Sequence, residues 1–188
     1  NFGRRIISQP SKTVVVAGGA KVSDKINVLK QFVHTGVKAI FIGGKMVNSF
    51  LISQKAKPKI TDFNLSNIPR TLLSTNEESN ENLVNEVSLA GEIIDFANDK
   101  NVNLIFPEDY KCVDEFKAPS FFIESEPDFE KVLQMDLGPK TIENFKNTIL
   151  SDGVQNVFWN GPLGAYDHPT NHDYAEGSLA LAQLLFEE

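Results

Sequence analysis

The sequence has few of the residues that build disulfide-stabilised, metal-binding, membrane or nucleic-acid-binding proteins. Cys112 is the single cysteine among the 188 residues, so the chain can form no disulfide framework and no cysteine-based metal cluster. No apolar run approaches the roughly 20 residues that span a bilayer, so no membrane partner is expected. The net charge of -7 argues against nucleic-acid binding, which needs a basic face. A small anionic ligand is still compatible with this charge, because a local group of amides and lysines can bind it.

Four short apolar runs alternate with stretches of helical periodicity. The runs are β-branched or aromatic and apolar on both faces, which is typical of parallel strands covered on both sides. We predict strands over Thr13–Ala17, Ala39–Gly43, Asn103–Pro107 and Asn156–Trp159. We predict helices over Ser23–Val33, Asn82–Asn98, Thr141–Leu150 and Tyr174–Leu185, with Gly36 stopping the first. The alternation predicts an α/β fold, a Rossmann-like three-layer sandwich around an open, mostly parallel sheet.

Two segments do not fit this alternation. Residues 51–82 are polar and show little apolar periodicity, so they are predicted to form a polar insertion or a mobile loop. Residues 121–133 are predicted to form a mixed connection with room for a short strand.

The first predicted strand leads into two glycines and two lysines. Gly18 and Gly19 would let a ligand approach the backbone, and the following helix N-terminus would add partial positive charge. Lys21 and Lys25 lie one helical turn apart, so their ammonium groups would share a face and could hold two adjacent phosphoryl groups. Taken alone, the pattern favours a tight strand-to-helix turn with two solvated lysines, since it is short and is not a Walker sequence.

The other predicted strands also end in small residues or turn-forming residues, on the same edge of the sheet. In such sheets ligands bind outside the carboxyl ends of the strands. Gly43 and Gly44 could form a floor without side chains for a flat base, which makes a nucleotide the leading ligand. Asp167 either accepts hydrogen bonds from ribose hydroxyls or is a solvated or capping acid. His168 and His172 are interpreted as surface histidines, because no acidic or thiol cluster accompanies them.

Several motifs, taken in order, resemble phosphoglycerate kinase. They are GGAKVSDKI at 18–26, IGGKM at 42–46, DLGPKT at 136–141 and WNGPLGAYD at 159–167, with FPEDYKCVDEF at 106–116 as a looser match. Residues 1–16 resemble the end of that family's interdomain helix and its first C-terminal strand. The resemblance spans nearly the whole chain and is weakest across 51–82. It implies a single, partial nucleotide-binding domain over 1–188, in which 1–12 are the end of the interdomain helix and linker.

The resemblance implies that one end of the site holds phosphates. Lys21 would be the catalytic residue, because it would contact the transferred phosphoryl group, and Lys25 would contact the α-phosphate. Asn160 would face the phosphates as well. The backbone on this side would come from Gly18, Gly19 and Ala20.

The resemblance implies that the other end holds the base and ribose. Gly43 and Gly44 would lie against adenine, and Phe106 stands where the family usually has Leu in the adenine pocket. Lys45 replaces a small residue there, so an inward side chain would partly block or recharge the pocket. Asp167 replaces the family's ribose-binding Glu and is one methylene shorter. The border of base and ribose would come from Pro162 and Leu163.

The resemblance also implies cofactors and partners. ATP or ADP would bind with Mg²⁺, whose Asp ligand the family carries in a GGGD loop expected beyond the end of this chain, so no metal ligand is assigned here. 3-Phosphoglycerate would bind through an N-terminal domain. Four of the family's six strands are visible in the sequence. An open sheet edge would then be left for a protein partner.

The function that follows is the nucleotide half of phosphoglycerate kinase, which transfers a phosphoryl group reversibly between MgATP and 3-phosphoglycerate in glycolysis. This chain alone is not expected to be active. The location is expected to be cytoplasmic, with an organelle as the alternative. A second hypothesis is a catalytically inactive relative that serves as a structural or interaction module. A Rossmann dehydrogenase fits poorly, because no G-x-G-x-x-G follows the first strand.

Overall fold

The computed structural model describes residue 6 and residues 8–56, 77–114, 117–123, 132–169 and 172–187. Seven strands lie in these ranges: β1 Thr13–Ala17, β2 Ala39–Ile42, β3 Asn103–Ile105, β4 Tyr110–Asp114, β5 Lys117–Ile123, β6 Val132–Leu137 and β7 Asn156–Asn160. Five α-helices accompany them: α1 Ile26–Thr35, α2 Val47–Ala56, α3 Glu77–Lys100, α4 Pro139–Ile149 and α5 Glu176–Glu187. None of the helices in these ranges is long and apolar enough to cross a membrane.

The main sheet is parallel and runs in the order β3-β2-β1-β7. It contains the four predicted strands, which confirms the α/β fold class. Among the described strands β7 pairs with β1 alone, so its outer edge is open. Because parallel strands end at the same edge, the loops after β1, β2 and β7 lie side by side.

The core lies on both faces of β1, all of whose residues are buried. Val15 packs into a cluster that includes Leu29 of α1 and Phe50 of α2. Val14 points to the opposite face, into a cluster with Phe145 of α4 and Leu181 of α5. Alternate side chains of this apolar strand therefore pack against helices on both faces of the sheet, and the fold has three layers of helices, sheet and helices.

A second sheet was missed by the sequence analysis, which had only a mixed connection over 121–133. Strands β4, β5 and β6 form an antiparallel sheet in the order β5-β4-β6. Lys111 in β4 and Asp136 in β6 are buried, at 6% and 0% exposure. Buried charged residues interrupt the apolar pattern by which strands are recognised, so the periodicity gave no clear signal.

The predicted polar segment 51–82 differs from the structure at both ends. Residues 51–56 complete α2, and α3 begins at Glu77, before the predicted start at Asn82. The middle of the segment, 57–76, lies outside the described residues. Helix α2 was not predicted, because its buried positions include polar side chains: Asn48, Ser49 and Ser53. Residues 1–5 and 7 are also outside the described ranges, so the proposed interdomain helix stays a prediction.

Candidate nucleotide site

Three loops meet at the carboxyl edge of the main sheet and are joined by backbone hydrogen bonds. The Gly19 N–H donates to the Pro162 carbonyl at 2.8 Å, in the loop after β7. The Gly44 N–H, after β2, donates to the Leu163 carbonyl at 3.0 Å. The Met46 N–H donates to the Gly19 carbonyl at 3.0 Å. The loops after β1, β2 and β7 therefore hold one another in place.

The glycines of these loops are required by this packing. A Cβ on Gly18 would lie 2.1 Å from the Pro162 carbonyl oxygen, and one on Gly43 would lie 2.6 Å from Leu163 Cδ2. Gly44 has a φ of 68°, and its Cβ would lie 2.5 Å from the backbone of Gly19. The sequence predicts that Gly18 and Gly43 allow a ligand to approach the backbone closely. In the structure the space beside them is occupied by the protein itself.

An open cavity of about 370 Å³ lies beside these loops; we call it the cleft. Its size falls within the range of small-molecule sites. One wall comes from the loops after β1 and β2, a second from the loop after β7, and a third from β6 in the second sheet. The lining residues are Gly19, Ala20, Gly44, Lys45, Asn48, Leu133, Gln134, Met135, Pro162, Leu163, Gly164, Ala165, Tyr166 and Asp167.

The cleft brings together half of the predicted site residues. Those that line it are Gly19, Ala20, Gly44, Pro162, Leu163 and Asp167. The remaining six are not part of its lining: Gly18, Lys21, Lys25, Gly43, Phe106 and Asn160. Phe106 packs against Phe50 of the core at a ring-centroid distance of 5.8 Å.

Lys25 and Asn160 lie next to each other at one end of the cleft. Lys25 Nζ donates to Asn160 Oδ1 at 2.5 Å, so the Asn160 amide is oriented with its oxygen towards the cation. Lys25 Cε would be 3.6 Å from a Cβ on Gly19, which places the lysine stem along the loop after β1. Helix α1 starts here with no acidic residue in its first turn. These groups give this end of the cleft a positive local field.

The predicted arrangement of the two lysines is wrong in one respect. Helix α1 begins at Ile26, three residues later than predicted, and Lys25 is its N-cap residue. Lys21 and Lys25 therefore do not occupy one face of a helix. Lys21 is exposed on the turn that precedes α1.

Lys45 and Asp167 face the cleft, and both side chains are exposed. Lys45 is an exposed residue of this lining, so it adds positive charge at the cleft, and a volume of about 370 Å³ is open beside it. A cation and an anion thus flank a cavity whose other walls are mainly backbone and apolar side chains.

A model of the phosphoglycerate kinase family matches residues 1–188, which is the whole chain. The chain belongs to the phosphoglycerate kinase family. Among the relatives, the phosphoglycerate kinase of Plasmodium falciparum is 31% identical over 189 residues, covering 99% of this chain and 40% of the relative. That of Lactobacillus johnsonii is 35% identical over 175 residues, covering 92% of this chain and 36% of the relative. The chain therefore spans about two fifths of the length of the relatives it matches.

Solved phosphoglycerate kinases share the fold. The structure from Coxiella burnetii matches with a TM-score of 0.73 at 25% identity, over 100% of this chain and 42% of that chain. The structure from Pyrococcus horikoshii matches with a TM-score of 0.71 at 22% identity, over 98% of this chain and 41% of that chain.

The DLGPKT segment is one of the motifs that resemble phosphoglycerate kinase, and its threonine, Thr141, has a structural role. Asp109 is buried and its carboxylate accepts the N–H groups of Lys140 at 2.9 Å and Thr141 at 2.7 Å. The Thr141 hydroxyl donates to the same carboxylate at 2.6 Å. A Cβ on Gly138 would lie 2.3 Å from that carboxyl group. Asp109 therefore caps the N-terminus of α4, and neither it nor Thr141 lines the cleft.

Asp136, the first residue of the same motif, supports the wall of the cleft. Its carboxylate accepts the N–H groups of Leu137 and Gly177, each at 2.8 Å. A Cβ on Gly164, a lining residue, would lie 2.3 Å from Asp136 Oδ1. Burial raises the pKa of Asp136 to about 6, and the two backbone hydrogen bonds and Lys111 lower it only in part. Asp136 thus joins β6, the loop after β7 and the start of α5.

Glu86 of α3 is a further residue that the sequence analysis missed. It is buried, and its carboxylate accepts the Ser23 N–H at 2.9 Å and the Ser23 hydroxyl. Ser23 lies between Lys21 and Lys25, so Glu86 fixes the turn that carries both lysines. Its position in the middle of a long helix gave no signal in the sequence.

Proposed function

We propose that the cleft binds an adenine nucleotide, and that the chain supplies the nucleotide half of a phosphoglycerate kinase. The observation that carries this proposal is an open cleft at the carboxyl ends of β1, β2 and β7, with the Lys25–Asn160 pair and the start of α1 at one end. The reaction of the whole protein would be reversible phosphoryl transfer between MgATP and 3-phosphoglycerate.

The phosphates would lie at the end of the cleft near Gly19. Lys25 would neutralise charge on the α-phosphate. The side-chain oxygen of Asn160 accepts a hydrogen bond from Lys25, so the Asn160 amide nitrogen would donate to a phosphate oxygen. Lys21, exposed on the flanking turn, would reach the transferred phosphoryl group. Phosphoryl transfer depends mainly on positioning and charge stabilisation, and these are the contributions that a pair of lysines and a helix N-terminus make.

The base and ribose would occupy the rest of the cleft. The backbone at Gly44 would lie against one side of the base, and Leu133 and Met135 would supply apolar surface. Asp167 is at the rim with an exposed carboxylate that can accept hydrogen bonds from ribose hydroxyls. An aromatic base with polar edges fits walls that are mainly apolar with a few polar groups.

Magnesium and 3-phosphoglycerate belong to the proposal for the whole protein. In the part of the chain that the structure describes, no group of three or more His, Cys, Asp or Glu could hold a metal ion. These residues do not by themselves form a magnesium site, so the roles assigned to the chain are limited to holding the nucleotide. 3-Phosphoglycerate would be bound through an N-terminal domain of the longer protein.

An inactive relative that serves as a structural module is the second candidate. Lys45 beside the base and the short Asp167 at the ribose position favour it. Nucleotide binding separates the two candidates, because a structural module has no need of it.

The test is calorimetric titration of the 188-residue chain with ADP, and a thermal shift measured in parallel. We expect saturable binding and a rise in Tm that grows with ADP concentration, since a ligand that binds only the folded state stabilises it. Lys25→Met should lower ADP affinity by roughly 10-fold or more, because a charge-assisted hydrogen bond contributes about 1.5–3 kcal/mol. Adenosine, which has no phosphate, should bind both proteins equally.

Lys30→Met is the matched control. Lys30 lies on α1, the helix that Lys25 caps, but its ammonium pairs with Glu92 at 2.9 Å on the surface. Its substitution should leave ADP affinity unchanged. No ADP binding at millimolar concentration, or equal losses for both variants, would contradict the proposal.

A further inference from the structure

Two residues that line the cleft each have a buried side-chain oxygen that lacks a hydrogen-bond partner among the described residues. The two oxygens are Asn48 Oδ1, in the first turn of α2, and Gln134 Oε1, in β6. Both residues line the cleft, on walls formed by different sheets. Asn48 is only 6% exposed, so water does not readily compensate for the missing partner. Buried polar atoms are usually paired, and an exception at a cavity calls for an explanation.

The missing partner has a defined chemistry. An amide oxygen only accepts hydrogen bonds, so what these two atoms lack is an N–H or O–H donor. The cleft is also lined by Leu133 and Met135, the apolar neighbours of Gln134 on β6. A ligand that suits this end of the cleft is therefore a flat apolar ring with a donor group on its edge. The exocyclic amino group of adenine has two hydrogens that diverge, and so it can serve acceptors on two walls.

We propose that Asn48 and Gln134 accept hydrogen bonds from the amino group of the bound base, so that this cleft selects adenine over a purine without that group. This inference rests on the proposed nucleotide function. The last side-chain torsion of Asn and Gln is broad, so each oxygen can turn towards the ligand without a change of the backbone. Asn48 and Gln134 are specificity residues in this proposal, and the phosphate contacts are separate from them.

The test compares two ligands that differ in one group. ADP and the 5′-diphosphate of purine riboside, which has hydrogen in place of the amino group, are titrated into the full chain by calorimetry. We expect ADP to bind about 10-fold more tightly, which is what one to two net hydrogen bonds give. The Asn48→Leu and Gln134→Met variants replace an amide by an apolar side chain of similar size. Each should reduce the preference for ADP and leave the affinity for the desamino ligand unchanged.

Ser53 provides the matched control. It lies on α2 like Asn48, is fully buried, and its hydroxyl oxygen also lacks a partner among the described residues, but Ser53 does not line the cleft. Ser53→Ala should keep the full preference for ADP. Circular dichroism and thermal unfolding of the ligand-free variants show whether each is folded, and Gln134→Met tests the proposal at the less buried position if Asn48→Leu does not fold.

The outcomes separate this inference from the proposed function. If neither ligand binds, the proposal of a nucleotide site fails. If both ligands bind the unaltered chain equally, the nucleotide site stands and the role of Asn48 and Gln134 is wrong. The same conclusion follows if the folded variants keep the full preference for ADP, or if Ser53→Ala loses it to the same extent.

Discussion

The buried carboxyl group of Asp136 predicts an unusual dependence of stability on pH. The pKa of Asp136 is raised from 3.8 to about 6, because burial and, to a smaller extent, the charge of Glu176 raise it by more than the N–H groups of Gly177 and Leu137 and the charge of Lys111 lower it. The folded protein therefore holds this proton more tightly than the unfolded chain. Its contribution to stability is fully present below pH 3.8 and is lost as the pH rises through about 6.

The size of this effect follows from the two pKa values. The difference between 3.8 and about 6 corresponds to about 3 kcal/mol of unfolding free energy lost between acidic and neutral pH. Ordinary paired carboxylates act in the opposite direction and make proteins less stable in acid. The contribution of Asp136 must therefore be obtained by comparison with a variant that cannot titrate at this position.

Asp136→Asn is that variant. Asn does not titrate, and it has one accepting oxygen where the carboxylate has two, so the variant should be less stable than the unaltered chain by about 1–3 kcal/mol at pH 7.5 and by a larger margin in acid. Urea unfolding at intervals from pH 3.5 to 7.5 gives both curves. We expect the unaltered chain to lose about 3 kcal/mol relative to Asp136→Asn across this range. Parallel curves would refute the reasoning. Glu176→Gln should move the transition to lower pH, because it removes a charge that raises the pKa.

Three further predictions follow from the contacts around the cleft. Gly44→Ala should lower the unfolding free energy by clearly more than Gly153→Ala in urea titrations. Both glycines have a positive φ, at which an alanine costs about 1–2 kcal/mol. At Gly44 the new Cβ would in addition collide with the backbone, whereas at Gly153 it would meet nothing. Lys45→Ala should weaken ADP binding by up to about fivefold in calorimetry. Because Lys45 is exposed, 0.5 M salt should screen its charge and remove this effect. Thr141→Val should cost about 1–3 kcal/mol in urea unfolding through the lost Asp109 contact and leave ADP affinity unchanged.

The main sheet could be predicted from the sequence because its strands carry a local signal. Runs such as Val14–Ala17 are short, β-branched and apolar at consecutive positions, which is typical of a strand covered on both faces. The end of α1 was equally predictable, since Gly36 has a φ of 76° and its N–H bonds to the carbonyls of Phe32 and Val33. The fold class followed from this local information.

The second sheet could not be predicted in the same way, because its pattern depends on distant partners. Lys111 has a side chain that is 7% exposed, and its ammonium reaches Glu176 at 2.7 Å and the Asp173 carbonyl at 3.1 Å. Asp136 is buried because the N–H groups of Leu137 and Gly177 are present. A charge at a buried position is acceptable only with such partners, and all of these except Leu137 lie 41 to 65 residues away along the chain.

The same reasoning explains why motifs located the cleft but did not identify all of its walls. Gly18 and Gly43 stand out in the sequence because glycine is rare in strands, yet they are required by loop-to-loop packing next to the cleft. The wall formed by Leu133–Met135 contains no unusual residue, so nothing in the sequence distinguishes it from any other apolar stretch. It becomes a wall only when the Ala165 N–H bonds to the Met135 carbonyl at 2.8 Å and brings the second sheet against the loop after β7. Residues that the backbone conformation requires, such as these glycines, can therefore be recognised from the residue type. Residues that form the cavity wall cannot, because they depend on which segments pack together.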